Sequence, residues 1–258
     1  MPRQRNRPHD YRRHEDAAHY HAARTALKGT ALYHSYINDR IVACLPRRRF
    51  RRSLDLMCGD GILLPALEPY VTESFGLDIS SHMLRYSSQR SQPSLLICGD
   101  ARQLPFLPKT FDLVVVRGGL HHLPHTEHVY EITRLLKKDG ILSIFEPCDD
   151  NLIVRMVRRI LYYVLPDFDP TEEHGIHTQL VLAMLKSAGC RVPRVERLGV
   201  VAFALLCNPD AIPGTWWLNY LPGISQWTKV AIKIDEAFEK LPVLRRLCFN
   251  VLIQADKP

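Results

Sequence analysis

Apolar and polar positions along the chain change period several times, and the changes mark out the elements. Residues 14–45 carry Ala18, Ala22, Ala26, then Leu32, Tyr36, Ile41 and Leu45 at helical spacing, which predicts one or two helices leading into the domain. "SLDLM" (53–57) then reads as a strand, and "ILLPALEPY" (62–70) as a short helix that tolerates Pro65 only in its first turn. "TESFGLDI" (72–79) is strand-like, and "SSHMLRYSSQR" (80–90) is helical with Ser80 or Ser81 as N-cap. "SLLICGD" (94–100) reads as a buried strand, and "FDLVVVRGG" (111–119) as another, with three consecutive valines. "EHVYEITRLLKKDG" (127–140) has the pattern of an amphipathic helix stopped at Gly140, and "ILSIFEP" (141–147) is the next strand. Strands alternating with helices at this spacing predict a mostly parallel sheet covered on both faces, and such sheets bind ligands at the carboxyl ends of their strands.

Beyond Pro147 the rhythm changes. "NLIVRMVRRILYYVLP" (151–166) is amphipathic, with Ile153, Val157, Ile160, Leu161 and Val164 set against Arg155, Arg158 and Arg159. "HTQLVLAMLKSAGC" (177–190) is a helix closed by Gly189, "RVERLGVVAFALL" (194–206) a long strand, and "CFNVLIQADKP" (248–258) a terminal strand. The reading divides the chain into a basic, disordered arm (1–13), a helical extension (14–49) and one domain (50–258) with cap insertions at about 149–170 and 207–246. The second insertion holds Trp216, Trp217 and Trp227.

Composition narrows the function classes. A chain of 258 residues with 46% hydrophobic content can bury one large core. The net charge of +7, with five arginines in residues 1–13 and a second cluster "PRRRFRR" at 46–52, permits an anionic partner without requiring one. The seven cysteines are scattered with no CxxC pair, which argues against a zinc site and predicts reduced, buried thiols in a cytoplasmic protein. No apolar run is long enough to span a bilayer, and no apolar stretch follows the N-terminal arginines as a secretory signal would require.

The chemistry gathers at strand ends. Asp55 lies beside the turn Cys58-Gly59-Asp60-Gly61, Asp78 ends the second strand, and Asp100 ends the third. Each aspartate alone would read as a cap. Three in this order line one crevice, where an acid after the second strand can accept from ribose hydroxyls and one after the third from an adenine amino group. A dinucleotide turn wants a third glycine for close pyrophosphate approach, and Ile62, Leu63 and Leu64 stand there instead. An adenosine with an amino-acid tail fits better, its amino group near Asp55.

"LDLMCGDG", "GLDIS", "GDARQLPF", "FDLVVVRGGLHHL" and "LLKKDGILSIFEP" resemble the successive motifs of class I S-adenosylmethionine-dependent methyltransferases, in particular the small-molecule, ubiquinone/menaquinone-type group. The resemblance covers about residues 50–147. It implies a Rossmann-like, doubly wound, mostly parallel seven-stranded sheet with helices on both faces, joined here by a helical cap. It also implies S-adenosyl-L-methionine as cofactor. Under it, Asp55, Cys58, Gly59 and Gly61 surround the methionine moiety, and Asp78 and Ile79 hold the ribose, with Met83 beneath the adenine. Asp100 and Ala101 form the adenine rim, and Arg117 and Gly118 face cofactor and substrate. Met57 departs from the pattern, standing at the family's usual first glycine.

Methyl transfer to oxygen or nitrogen needs a proton removed, and histidine suits that. His121 and His122 follow the fourth strand, and Glu146 ends the fifth as a candidate base or orienting group. His174 and His177 are further candidates, while His125 and His128 read as surface residues. Histidines in these spacings match no strong metal template, and none is expected. The expected function is methyl transfer to a small or lipid-like acceptor, at oxygen in preference to carbon or nitrogen. The basic amphipathic 151–166 segment admits peripheral membrane contact. The alternatives are an rRNA or tRNA methyltransferase, for which the base-amino-methylating tetrapeptide N-P-P-Y is absent after the fourth strand, and a degenerate cofactor-binding scaffold.

Overall fold

The structure, a computed structural model, describes residues 14–90, 94–123, 128–164, 175–207 and 215–258. The arm at 1–13, His125 and His174 lie outside the described residues. Seven strands form one sheet: β1 (Phe50–Leu56), β2 (Val71–Asp78), β3 (Ser94–Cys98), β4 (Phe111–Arg117), β5 (Leu136–Pro147), β6 (Arg191–Leu198) and β7 (Asn250–Lys257). Their order is β3-β2-β1-β4-β5-β7-β6. The pairings β2–β3, β1–β2, β1–β4 and β4–β5 are parallel, and β7 runs antiparallel between β5 and β6. Strand order reverses between β1 and β4, so the connections leaving those two strands diverge and open a crevice at their carboxyl ends.

The β4 valine run explains the two-sided core. Val114 and Val116 pack on one face with Val129 and Ile132 of α5 (His128–Arg134) and Val181 and Leu185 of α7 (Thr178–Ser187). Leu113 and Val115 face the other way, against Tyr33, Ile37 and Ile41 of α2 (Lys28–Ala43), Ala202 of α8 (Val201–Leu206) and Ile232 of α9 (Ile224–Lys240). All four of these β4 residues are fully buried, each worth about 1.5–3 kcal/mol relative to exposure. The remaining helices are α1 (His14–Thr25), α3 (Leu64–Leu67), α4 (Ser81–Ser87) and α6 (Leu152–Val164).

Three expectations are corrected. The helix expected to reach Gly140 ends at Arg134, because the backbone N–H groups of Thr110 and Phe111 both donate to the Leu135 carbonyl (2.8 and 3.0 Å) and Leu136 pairs with Phe111. "LKKDG" thus enters β5 early, with Asp139 at φ 59. The long strand expected at 194–206 stops at Leu198. Gly199, at φ 74, turns the chain into α8, whose first amides are capped by Asp235 (Val201 N 2.6 Å, Ala202 N 3.1 Å). Third, the strand expected to be buried at 94–100 is exposed: β3 is the edge of the sheet, paired with β2 alone, and Leu95 (58% exposed) and Cys98 face solvent.

Candidate functional site

The turn after β1 is held by the carboxylate that ends β2. Asp78 Oδ2 accepts from Gly59 N (2.7 Å), and Oδ1 accepts from Ser80 N (2.8 Å), so one side chain fixes both the turn and the start of α4. Burial raises its pKa. Gly61, at φ 72, has no room for a side chain, since a Cβ would sit 3.0 Å from the Ser87 backbone. Cys58 is buried, its Sγ filling the space left by Gly76. Met83 is buried with its Cε facing Gly59, Ala101 is buried, and Ile79 is exposed beside the turn.

Met57 takes up the left-handed conformation itself, at φ 58. Its side chain packs on the core and fills the space beside Gly119, where a Cβ would meet Met57 Cβ and Cε at 2.9 Å. The side chain gained after β1 is matched by the one missing after β4. A left-handed non-glycine residue costs on the order of 1 kcal/mol or more, which the packing of Met57 offsets.

Asp55 is the most perturbed acid of the crevice. It is 1% exposed, Oδ1 has no hydrogen-bond partner, and burial lifts its pKa to about 7, opposed by the nearby Arg117 charge and reinforced by Asp78 and Asp60. Arg117, ending β4, donates from Nη2 to His34 Nδ1 (2.8 Å), while its buried Nε has no partner. His34 on α2 donates through Nε2 to the Cys207 carbonyl (3.1 Å), and burial together with Arg117 pushes its pKa well down. The neutral ring therefore carries its proton on Nε2 and presents a lone pair to the guanidinium.

Glu146 is fully buried and accepts from the backbone N–H groups of Gly119 and Leu120 (both 2.7 Å) and from His121 Nδ1 (2.7 Å). Its oxygens are committed inside the protein, an arrangement that can orient His121. Nδ1–H directed at Glu146 leaves Nε2 of His121 as the basic nitrogen. His122 lies against it, ring centres 4.0 Å apart, with its pKa lowered by its surroundings and by His121. Gly118, at φ 69, borders open space. His177 is exposed at the start of α7.

Asp100 stands somewhat apart. Both its oxygens accept from Arg102 (Nη2 2.5 Å, Nε 2.8 and 3.0 Å), which holds its pKa below the usual carboxylate range. Two residues that close on the glycine turn, His21 and Arg90, carried no motif. Asp60 is buried and ion-paired with His21 on α1 (2.8 Å) and with Arg90 (2.6 Å), and His21 stacks on Tyr86 of α4 (4.2 Å between centres). This latch fastens α1 over the glycine turn. Much of the 46–52 basic cluster is used internally: Arg48 bonds the Asp139 carbonyl, Arg49 the Val71 carbonyl (3.1 Å) and Arg52 pairs with Glu73 (2.7 Å).

Residues 54–144 match the family model described as a methyltransferase domain. A demethylmenaquinone methyltransferase of Lactobacillus johnsonii is 35% identical over 127 residues, 45% of this chain and 52% of that protein. Over that part of the chain the match is to S-adenosylmethionine-dependent methyltransferases of class I type. The aligned part spans about half the length of that curated relative. Two solved structures share the fold: the YcgJ protein of Bacillus subtilis (TM-score 0.59, 19% identity, covering 86% of this chain and 98% of that one) and an S-adenosylmethionine-dependent methyltransferase of Archaeoglobus fulgidus (TM-score 0.57, 22% identity, covering 87% and 94%).

The site fits S-adenosylmethionine, the cofactor that the resemblance implies. Two of the buried atoms without partners, Asp55 Oδ1 and Arg117 Nε, are an acceptor and a cationic donor, the pair that a zwitterionic amino-acid group satisfies. Asp78 retains lone pairs on both oxygens for hydroxyl donors. Among the described residues no cluster of histidine, cysteine and acid side chains could hold a metal.

Proposed function

We propose that this protein transfers a methyl group from S-adenosylmethionine to an oxygen of a small, lipid-like, quinone-type acceptor. The observation that carries the reading is the His121–Glu146 pair at the mouth of a crevice whose floor holds Asp55 and Arg117. The demethylmenaquinone methyltransferases of Lactobacillus johnsonii and Staphylococcus aureus, 35% and 30% identical over the aligned regions, support the acceptor class.

The cofactor, when bound, supplies a methyl group on a positively charged sulfur. Asp55 and Arg117 would anchor its amino-acid end, Asp78 and Ile79 the ribose, and Met83 the adenine face. His121 Nε2 takes the proton of the acceptor hydroxyl, and the buried Glu146 carboxylate stabilises the imidazolium that results. Glu146 also holds the 119–121 backbone, so the base and the loop that carries it share one anchor. Alignment of the acceptor oxygen, with water kept out, supplies the rest of the acceleration.

Two measurements test this. Calorimetric titration with S-adenosylhomocysteine should give saturable binding, and its absence at about millimolar ligand would sink the reading. Incubation with methyl-labelled cofactor and a short-chain naphthohydroquinone should then yield a labelled product whose methyl NMR shift marks an ether. Label on a ring carbon would keep the acceptor class and refute transfer to oxygen.

A further inference from the structure

α6 is inside out. Its inward line is Val154 and Arg158, and Arg158 is buried in an ion pair with Asp149, with further bonds to the carbonyls of Cys148 (3.3 Å) and Phe249 (3.1 Å). Gly175 closes over this pair, its N–H donating to Asp149 Oδ2 (3.0 Å). The outward side carries Leu152 (60% exposed), Ile153 (60%), Met156 (55%), Val157 (40%) and Ile160 (60%). At about 100° per residue these five fall within a single arc of roughly 140°. Arg155 and Arg159, both exposed, border that arc on one side. Neither is in an ion pair among the described residues, and residues 152–164 contain no acid.

We propose that the outward face of α6 docks on an anionic lipid bilayer, lying in the interface with its apolar arc among the acyl chains and Arg155 and Arg159 at the headgroups. A soluble protein rarely displays an apolar stripe of this extent, and one displayed by a helix whose arginine is anchored inward is a built surface. Charge decides the occupant. A second copy of the chain would bring the Arg155/Arg159 border of one helix near that of the other, on a protein of net charge +7, whereas an anionic leaflet complements both arginines. The helix is too short to cross a membrane, and no described helix is long and apolar enough to do so. A second apolar display sits at the same carboxyl edge of the sheet. Trp216, Trp217 and Tyr220 are exposed beside Asn219, whose Oδ1 accepts from Thr30 N (3.0 Å), one turn of α2 before His34 and Arg117. Docking there would turn the mouth of the crevice toward the bilayer.

The test is cosedimentation of the full chain with vesicles, which needs neither cofactor nor acceptor and so stands or falls apart from the acceptor reading. Vesicles of about three parts phosphatidylcholine to one part phosphatidylglycerol should retain the protein at least about tenfold better than pure phosphatidylcholine, and less so as salt is raised. Ile153→Glu with Ile160→Glu should abolish retention, while Arg155→Gln with Arg159→Gln should cost about tenfold on anionic vesicles only. Both pairs are exposed, so thermal midpoints should match the parent's. Equal retention on neutral and anionic vesicles, or undiminished retention of the glutamate variant, would overturn the proposal. So would a large fall in its midpoint, which would assign the stripe to the chain's own packing, or a parent dimer that the variant dissolves, which would assign it to a second copy.

Discussion

Asp55→Asn should separate the stability of this protein from its ability to hold a cofactor. The carboxyl lies at the end of β1, 1% exposed, with a pKa lifted from 3.8 to about 7 chiefly by burial. The folded-state value exceeds the unfolded one, so the folded protein binds the extra proton. Stability is therefore lost as pH rises from about 4 to about 7 and stays lost above that. The shift of 3.2 units, 7 less 3.8, corresponds to up to about 4 kcal/mol at pH 8. A neutral asparagine of the same shape escapes this cost, so Asp55→Asn should raise the thermal midpoint at pH 8 by several degrees and leave it unchanged at pH 4. Binding moves the other way. An ammonium group at Oδ1 requires the ionised carboxylate, which makes up about 9% of the population at pH 6 and about 90% at pH 8. Affinity for S-adenosylhomocysteine should thus rise about tenfold between those pH values in the parent and be weak and flat in the variant. Calorimetry at pH 6 in buffers of different ionisation heat should detect close to one proton released per ligand bound. A parent affinity independent of pH over this range, or a variant that binds as well as the parent, would refute the assignment of Asp55 as the acceptor for the amino group.

Other parts of the site make separable predictions. His121→Ala should lower turnover by about 100-fold or more while leaving S-adenosylhomocysteine affinity within about twofold, as measured by labelled-methyl transfer and calorimetry. Gly119→Ala should destabilise the protein by about 1–3 kcal/mol by driving a Cβ into Met57, and Met57→Gly should rescue it. Additive denaturation free energies in that double-mutant cycle would refute the Met57–Gly119 complementarity. Asp60, whose pKa is lowered by His21 and Arg90 against the effect of burial, contributes stability that is present above the ordinary carboxylate range and lost as pH falls below it. Amide exchange along α1 should therefore accelerate on acidification before that of β4 does, and Asp60→Asn should show the fast exchange already at pH 6.

What could be read from the chain follows the distance over which each signal acts. The alternation from "SLDLM" through "ILSIFEP" is local, and it marks β1, β2, β3 and β4 as strands of one mostly parallel sheet. Boundaries were less legible where a distant partner decides them. "LKKDG" has helical propensity, yet Phe111 captures Leu136 into the sheet. "VVAFALL" has strand propensity, yet Asp235, from within the second insertion, caps it as a helix. In both cases a bond made across the fold overrides a preference worth a few tenths of a kcal/mol per residue.

The same distance rule applies to the site. Asp55, Asp78 and Glu146 announce themselves as acids at strand ends, and the structure finds each of them buried there. His34 carries no such mark: it sits among helical residues, 83 positions before the arginine it orients, and nothing in its neighbourhood signals a ligand to a guanidinium. His21 and Arg90 reach Asp60 across intervals of 39 and 30 residues. What α1 and α2 contribute is closure, and closure has no local pattern because its partners lie in the crevice they cover. Met57 shows the reverse case. Taken alone, a methionine at the first glycine position of the turn signals a damaged cofactor site. Taken with Gly119, two residues past the end of β4, it is one half of a packed pair, and the second glycine of "RGG" is the half that the local reading of the turn did not supply.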